Sequence, residues 1–165
     1  IIAGIRARCR QDFMVGVRLS PERFGMKLDE TTEVAQRLMT EGNIDFLDMS
    51  LWDVFKEPEQ EDKQGQSLLS YFTELERNGV RLGVAGKIRT PEEAEKALAG
   101  GVDWIMLGRA AILHHDFPNQ YQTNPNFTPV QLPTSKEHLS NEGLSPKFLE
   151  YMGSWPGFIA EDETA

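Results

Sequence analysis

Four short apolar segments, at residues 15–19, 46–50, 82–85 and 104–107, are separated by stretches that read as helices. Between the first two, residues 31–40 place Val34, Ala35, Leu38 and Met39 on one helical face and stop near Gly42. Residues 68–77 do the same with Leu68, Leu69, Phe72 and Leu75, and stop at Gly79. The third helix is the best signposted: Thr90 is an N-cap, Pro91 takes the first helical position, Glu93 completes a capping box, and Gly100-Gly101 end it. Alternation of strand and helix implies a parallel sheet, because a helix is the usual way back to the start of the next parallel strand. Right-handed crossovers then bring all four strand C-termini to one edge. On that edge fall Arg18, Ser50, Gly86-Lys87 and Gly108-Arg109.

The strands begin at 15, 46, 82 and 104. An eight-unit β/α barrel of about 250 residues averages about 31 residues per unit. The rhythm fits, but four strands cannot close a barrel built from eight. Either further units precede residue 1, or the sheet is small and open. A flavodoxin-like sheet is the competing architecture; its ligand site lies at the switch point beside the first strand. Here the glycine-cation signals come last. The opening residue is Ile1, and Ile1, Ile2, Ile5 and Cys9 recur at helical spacing with no cap before them, so the expectation is the later part of a longer protein.

Two units follow from this reading: residues 1–117 as a partial β/α barrel, and 118–165 as an irregular, Pro-rich tail running extended over the surface. Pro118, Pro125, Pro129 and Pro133 punctuate the tail, and Ser145-Pro146 open one short helix ending near Met152. Trp155, Phe158 and Ile159 are expected to anchor its end, and residues 161–165 to be disordered. The stretch 51–67, acidic and polar, sits on the strand-end edge as either a binding loop or a solvated excursion; Trp52 and Phe55 favour partial packing.

Seventeen Lys and Arg against 26 Asp and Glu give a net charge of −9. That balance disfavours nucleic acid and anionic membranes as partners. No apolar run approaches the roughly 20 residues that span a bilayer. Cys9 is the single cysteine, so no disulfide or cysteine-based zinc site forms within the chain, which fits a reducing, cytoplasmic compartment.

Gly86-Lys87 and Gly108-Arg109 carry the chemistry. Glycine lets a ligand approach the main chain, successive amides make an anion nest, and Arg109 can fork onto two phosphate oxygens. In β/α barrels the loops after the last two strands are the usual phosphate position. The plain alternative is two strand-to-helix turns with surface cations. Arg18 shares a strand face with Gly16 and Ser20, opposite Val15, Val17 and Leu19; it either faces an anion in the barrel mouth or pairs with Asp48. His114, His115 and His138 read as surface histidines, and Met49, Met106 and the aromatic residues as core.

In order along the chain, Val15-Gly16-Val17-Arg18-Leu19-Ser20-Pro21, Phe46-Leu47-Asp48-Met49-Ser50, Val84-Ala85-Gly86-Lys87-Ile88 with Thr90-Pro91-Glu92-Glu93-Ala94-Glu95, and Ile105-Met106-Leu107-Gly108-Arg109-Ala110 resemble the second half of the old yellow enzyme family, the FMN-dependent NAD(P)H:flavin oxidoreductases and ene-reductases. The resemblance implies the C-terminal half, about four βα units, of a TIM (β/α)8 barrel holding FMN at its strand ends. It implies that Arg18 contacts the pyrimidine side of the flavin, that Gly86, Lys87, Gly108 and Arg109 hold the phosphate, that NADH or NADPH is the reductant, and that the substrate is a small activated alkene. The family's substrate-polarising pair and proton donor belong to its first half, so no catalytic residue is assigned in this chain. Exposed strand edges would then pair with other chains. Two further readings stand beside it: another phosphate-binding barrel enzyme, such as a sugar-phosphate isomerase with Asp48 as base, and a non-catalytic half-barrel module.

Overall fold

The structure is a computed structural model that describes residues 1–161. Its contacts divide the chain into two compact units: Ile1–Ile88 with Glu93–Met106, and Arg89–Glu92 with the chain from Leu107 onward.

The first unit is built on one parallel sheet. Strands β1 (Gly16–Leu19), β2 (Phe46–Ser50), β3 (Arg81–Ala85) and β4 (Trp104–Met106) lie in the order β1-β2-β3-β4. Arg18 is in register with Asp48, Asp48 with Gly83, and Ala85 with Met106. Each strand joins the next through helical structure: α2 (Leu28–Glu41), α3 (Ser70–Thr73) and α4 (Pro91–Ala99), with α1 (Ile2–Arg6) ahead of the sheet. The α/β class and parallel order are as the periodicity predicts.

Strand alternation sorts the residues. Leu47, Met49, Leu82 and Val84 are buried on the face packed with Ala35, Met39, Phe72 and Ala97 in the core of this unit. The opposite face carries Gly16, Arg18, Phe46, Asp48, Ser50, Gly83, Trp104 and Met106. Two glycines there are explained by their neighbours. A Cβ on Gly16 would collide with the Phe46 ring, and one on Gly83 with the Trp104 indole. The two rings meet edge to face at 5.4 Å. Large residues over glycines make one layer of the kind that fills a barrel interior. Met106, read from the sequence as core, is 40 % exposed on this face.

α2 forms because Leu28, Thr31, Ala35 and Met39 recur at helical spacing and are all buried; Asp29 and Glu30 sit in its first turn, and Gly42 closes it with φ 62°. α3 is shorter than the sequence pattern predicts. The backbone of Glu76 is captured instead by Gln36 of α2: Gln36 Nε2 donates to its carbonyl at 2.9 Å, and its N–H donates to Gln36 Oε1 at 3.1 Å. Those groups are therefore lost to a longer helix.

Asp45 ties the N-terminal ends of β1 and β2. It accepts from the Val15 N–H at 2.6 Å and from Arg6 at 2.8 Å. The Val15 amide, then Arg6, holds its carboxyl below its ordinary value of 3.8. A carboxylate lowered by folding stabilises the fold above its unfolded value and loses that contribution as pH falls through the folded one. Asp45→Asn should therefore lower the denaturation midpoint at neutral pH, with the difference from wild type vanishing at pH well below 3.8. Urea melts at a series of pH values measure it.

The second unit corrects the extended-tail expectation. It holds α5 (Arg109–Leu113), α6 (Phe117–Thr123), α7 (Lys136–Asn141) and α8 (Pro146–Gly153). Only α8 follows the reading from sequence. Leu113, Leu139, Met152 and Phe158 form a small core of their own, and Thr134 bridges Ile159. Pro118 and Pro146 sit in the first turns of α6 and α8, where a proline costs no helix hydrogen bond, and Pro125, Pro129 and Pro133 punctuate the connection between α6 and α7. Trp155, expected as an anchor, is 39 % exposed, whereas Phe158 is buried. The disorder expectation for 161–165 falls mostly outside the described residues.

Candidate functional site

The C-terminal ends of the four strands position the candidate residues. Arg18, on the inner face of β1, donates to Ser50 Oγ from Nε at 3.0 Å and Nη2 at 2.6 Å. Its Nε also stands 3.3 Å from Asp48 Oδ2. Asp48 is 95 % buried and its Oδ1 has no hydrogen-bond partner. Burial raises the Asp48 carboxyl, with Arg18 opposing the shift only in part. The Asp48 pairing considered from sequence is present, yet the Arg18 side chain remains 53 % exposed. Asp48 and Ser50 thus orient the guanidinium while leaving it open to an anion.

Gly86 follows β3 directly. With φ 154°, its missing Cβ would lie 2.8 Å from the backbone of Trp52 and of Asp53. The Leu51 N–H donates to the Ala85 carbonyl at 2.8 Å, and Val54 N–H to the Gly86 carbonyl at 3.3 Å. The glycine at this position is therefore required by the close approach of the 51–54 segment. That segment is anchored by buried Leu51 and Val54, while Trp52, at φ 63° and 56 % exposed, points its ring outward with the Arg23 guanidinium 4.8 Å from the ring centre.

Lys87 adopts φ 50° and pairs with Asp53 at 3.1 Å. Burial pushes the Asp53 carboxyl up, but hydrogen bonds from Lys87 and from the Phe55 N–H outweigh it and leave it lowered. Asp53 is the residue that sequence reading passed over; it was one acid among several in a polar loop, with no spacing that linked it to Lys87.

Gly108 precedes α5 and behaves differently from Gly86. Its backbone (φ −95°, ψ −94°) is irregular, and nothing lies within 4 Å of where a Cβ would stand. The Arg109 side chain makes no ion pair among the described residues. Because Ala85 is the register partner of Met106, both glycine-cation turns leave neighbouring strand ends. Gly108-Arg109 is thus an open turn with an uncompensated cation, whereas Lys87 is already partnered by Asp53. A cavity of about 810 Å³ in the sheet unit lies elsewhere: it is lined by Met14, Phe46, Trp104 and the strand N-terminal ends on the inner face.

His115 is exposed as the surface expectation has it, whereas His114 corrects it and His138 is half-buried. His114 is buried, 6 % exposed, and its Nε2 accepts from the Val130 N–H at 2.9 Å. His138 Nε2 lies 2.8 Å from the Leu113 carbonyl, to which it can only donate. His114, His138 and Glu142 offer ligand atoms within 4.8 Å of one another. The Nε2 lone pair of His114 is already engaged, so in its neutral form the proton is on Nδ1. A metal at Nδ1 would have to displace it, and the arrangement does not favour an ion.

The fold defines a class: a parallel four-stranded α/β sheet with alternating helices that matches part of a (β/α)8 barrel. Among solved structures, the chain is similar to a variant of NCR from Zymomonas mobilis, with TM-score 0.51 and 26 % identity over 68 % of this chain and 35 % of that one. It also overlays DHODH in complex with ferulenol from Eimeria tenella, with TM-score 0.42 and 17 % identity over 60 % of this chain and 29 % of that one. The chain thus spans about a third of the length of these structures. No protein-family model matches the sequence, and no curated protein sequence matches it. Among the described residues no helix is long and apolar enough to cross a membrane.

Proposed function

We propose that this chain is the flavin-phosphate part of an FMN-dependent oxidoreductase of the old yellow enzyme type, using NADH or NADPH to reduce a small activated alkene or similar acceptor. The observation that carries the reading is the pairing of β3 with β4, whose neighbouring ends lead into Gly86-Lys87 and Gly108-Arg109. The likeness to the NCR variant, at 26 % identity, supports a flavin oxidoreductase-like assignment.

Bound FMN supplies the hydride chemistry between reductant and acceptor. The residues of this chain bind and tune. Arg109 and the amides around Gly108 hold the phosphate dianion, assisted by Lys87 and the turn at Gly86. Arg18, oriented by Ser50 and Asp48, provides fixed positive charge where negative charge builds on the flavin's pyrimidine side, a preorganised electrostatic contribution. Nothing here is assigned to proton donation or substrate polarisation. The isomerase reading needs an accessible carboxylate base, and Asp48 is 95 % buried.

Titrating the purified chain with FMN and, separately, with riboflavin tests the proposal, because the two differ only in the phosphate. Flavin fluorescence should report FMN binding at least about tenfold tighter, the weight of one or two charge-assisted hydrogen bonds. Equal affinities, or no response to either, would remove the phosphate site.

A further inference from the structure

The connection after α6 is held down by a histidine whose protonation state matters. His114 ends α5, and its buried ring meets Phe127 edge to face at 5.7 Å and His138 at 5.7 Å. Phe127 in turn packs on Phe117 at 5.0 Å. The polar tie is the bond from the Val130 N–H to His114 Nε2 at 2.9 Å. A ring nitrogen accepts a hydrogen bond only while it is unprotonated. Once it carries a proton it becomes a donor, facing another donor in a site sealed from water.

We propose that His114 is an acid-released latch: its neutral Nε2 holds the strap around residues 127–130 against α5, and proton uptake at Nε2 lets the strap go. The proton comes from solvent and bonds to Nε2; the Val130 N–H then turns to water as the strap lifts. The strap does more than cover the ring. Residues 125–129 and Gln131 line a cavity of about 250 Å³ together with Thr90, Pro91 and Glu92, the opening turn of α4 just after Lys87 in the chain. Release therefore opens the surroundings of that turn, and makes the device regulatory.

The titratable groups facing His114 come from two elements. Glu142 closes α7, His138 lies within α7, and Asp116 precedes α6. The strap from 124 to 131 contributes no titratable side chain. Burial is the largest influence and lowers His114 from its ordinary 6.5; Glu142 and Asp116 oppose it, while His138 adds to it. A histidine lowered in the latched form binds its proton more readily once released. The latch is thus fully engaged above pH 6.5 and weakens as pH falls below it. The neighbouring His115 acts with the opposite sign. Its Nδ1 meets Glu142 at 2.7 Å, which raises it, so that pair strengthens toward acid. Its ring is 65 % exposed, and its weight is correspondingly small.

Amide hydrogen exchange at Val130, followed by NMR and corrected for intrinsic rates, reads the latch directly. Between about pH 7.5 and about pH 5.5, one linked proton should raise strap opening about tenfold in the wild type. His114→Gln keeps an acceptor that does not titrate, and should abolish that dependence; His115→Gln should retain it. The nitrogen shifts of the wild-type ring give a second readout that requires no variant. They should show a lone pair on Nε2 at neutral pH and proton uptake in step with the Val130 amide. Val130 protection that ignores pH, a tenfold loss that survives in His114→Gln, or an Nε2 already protonated at neutral pH would each overturn the proposal.

Discussion

Gly86→Ala should destabilise the sheet unit by about 2–4 kcal/mol in protein that holds no flavin. The added methyl would stand 2.8 Å from main-chain atoms of Trp52 and Asp53, at a φ of 154° that side chains rarely adopt. Backbone cannot swing aside as a long side chain can. The 51–54 segment is fixed between the Ala85 and Gly86 carbonyls and its own buried anchors, Leu51 and Val54. Trp52 already sits at φ 63°, so further displacement adds to existing strain. Gly108→Ala is the matched comparison, because a Cβ there meets nothing within 4 Å. Chemical denaturation of both variants without ligand should give the Gly86 change at least twice the loss of the Gly108 change. Equal losses would mean that the segment is not clamped where the geometry places it.

That contrast also marks what the sequence could convey. The βα rhythm, the parallel order and all four strand starts were readable to within a residue, because alternation and capping are local signals. Pro91 and Gly100-Gly101 bracket α4 with no reference to the rest of the fold. The two Gly-cation turns looked alike for the same reason: their local chemistry is the same. What separates them is tertiary. Gly86 is glycine because another loop crosses it, and Lys87 is matched to Asp53 from that loop. Neither partner lies near in sequence. The shortening of α3 has the same origin in Gln36, forty residues from the Glu76 backbone it captures. In the tail, proline frequency suggests extended chain, and the small core of Leu113, Leu139, Met152 and Phe158 escapes a sequence reading because its members come from three separate short helices and the turn after the last. His114 was read as exposed since no periodic pattern contained it; only its acceptor bond from Val130 explains its burial.

Arg109→Ala should weaken FMN binding by at least tenfold and up to about a hundredfold, with riboflavin binding unchanged. The size of the effect rests on charge balance at the two turns. Lys87 stands 3.1 Å from Asp53, so this turn presents a pair whose charges cancel. Lys87→Ala removes a cation and leaves the Asp53 carboxylate unmatched, and restoring neutrality with Asp53→Asn in the same protein should recover part of the loss. Arg109 has no acid opposite it among the described residues, and its full charge is available to a dianion. Its planar fork can also meet two phosphate oxygens at once, which a lysine cannot do, so Arg109→Lys should recover affinity only in part. Arg18→Ala belongs to a different class of outcome. Its guanidinium is held by Ser50 and Asp48 on the strand face, and under the proposed function its loss should slow flavin reduction more than it releases flavin. If instead Arg18→Ala abolishes the preference for FMN over riboflavin while Arg109→Ala leaves that preference intact, the phosphate lies on the inner face beside Arg18, and the assignment of the 108–109 turn is wrong.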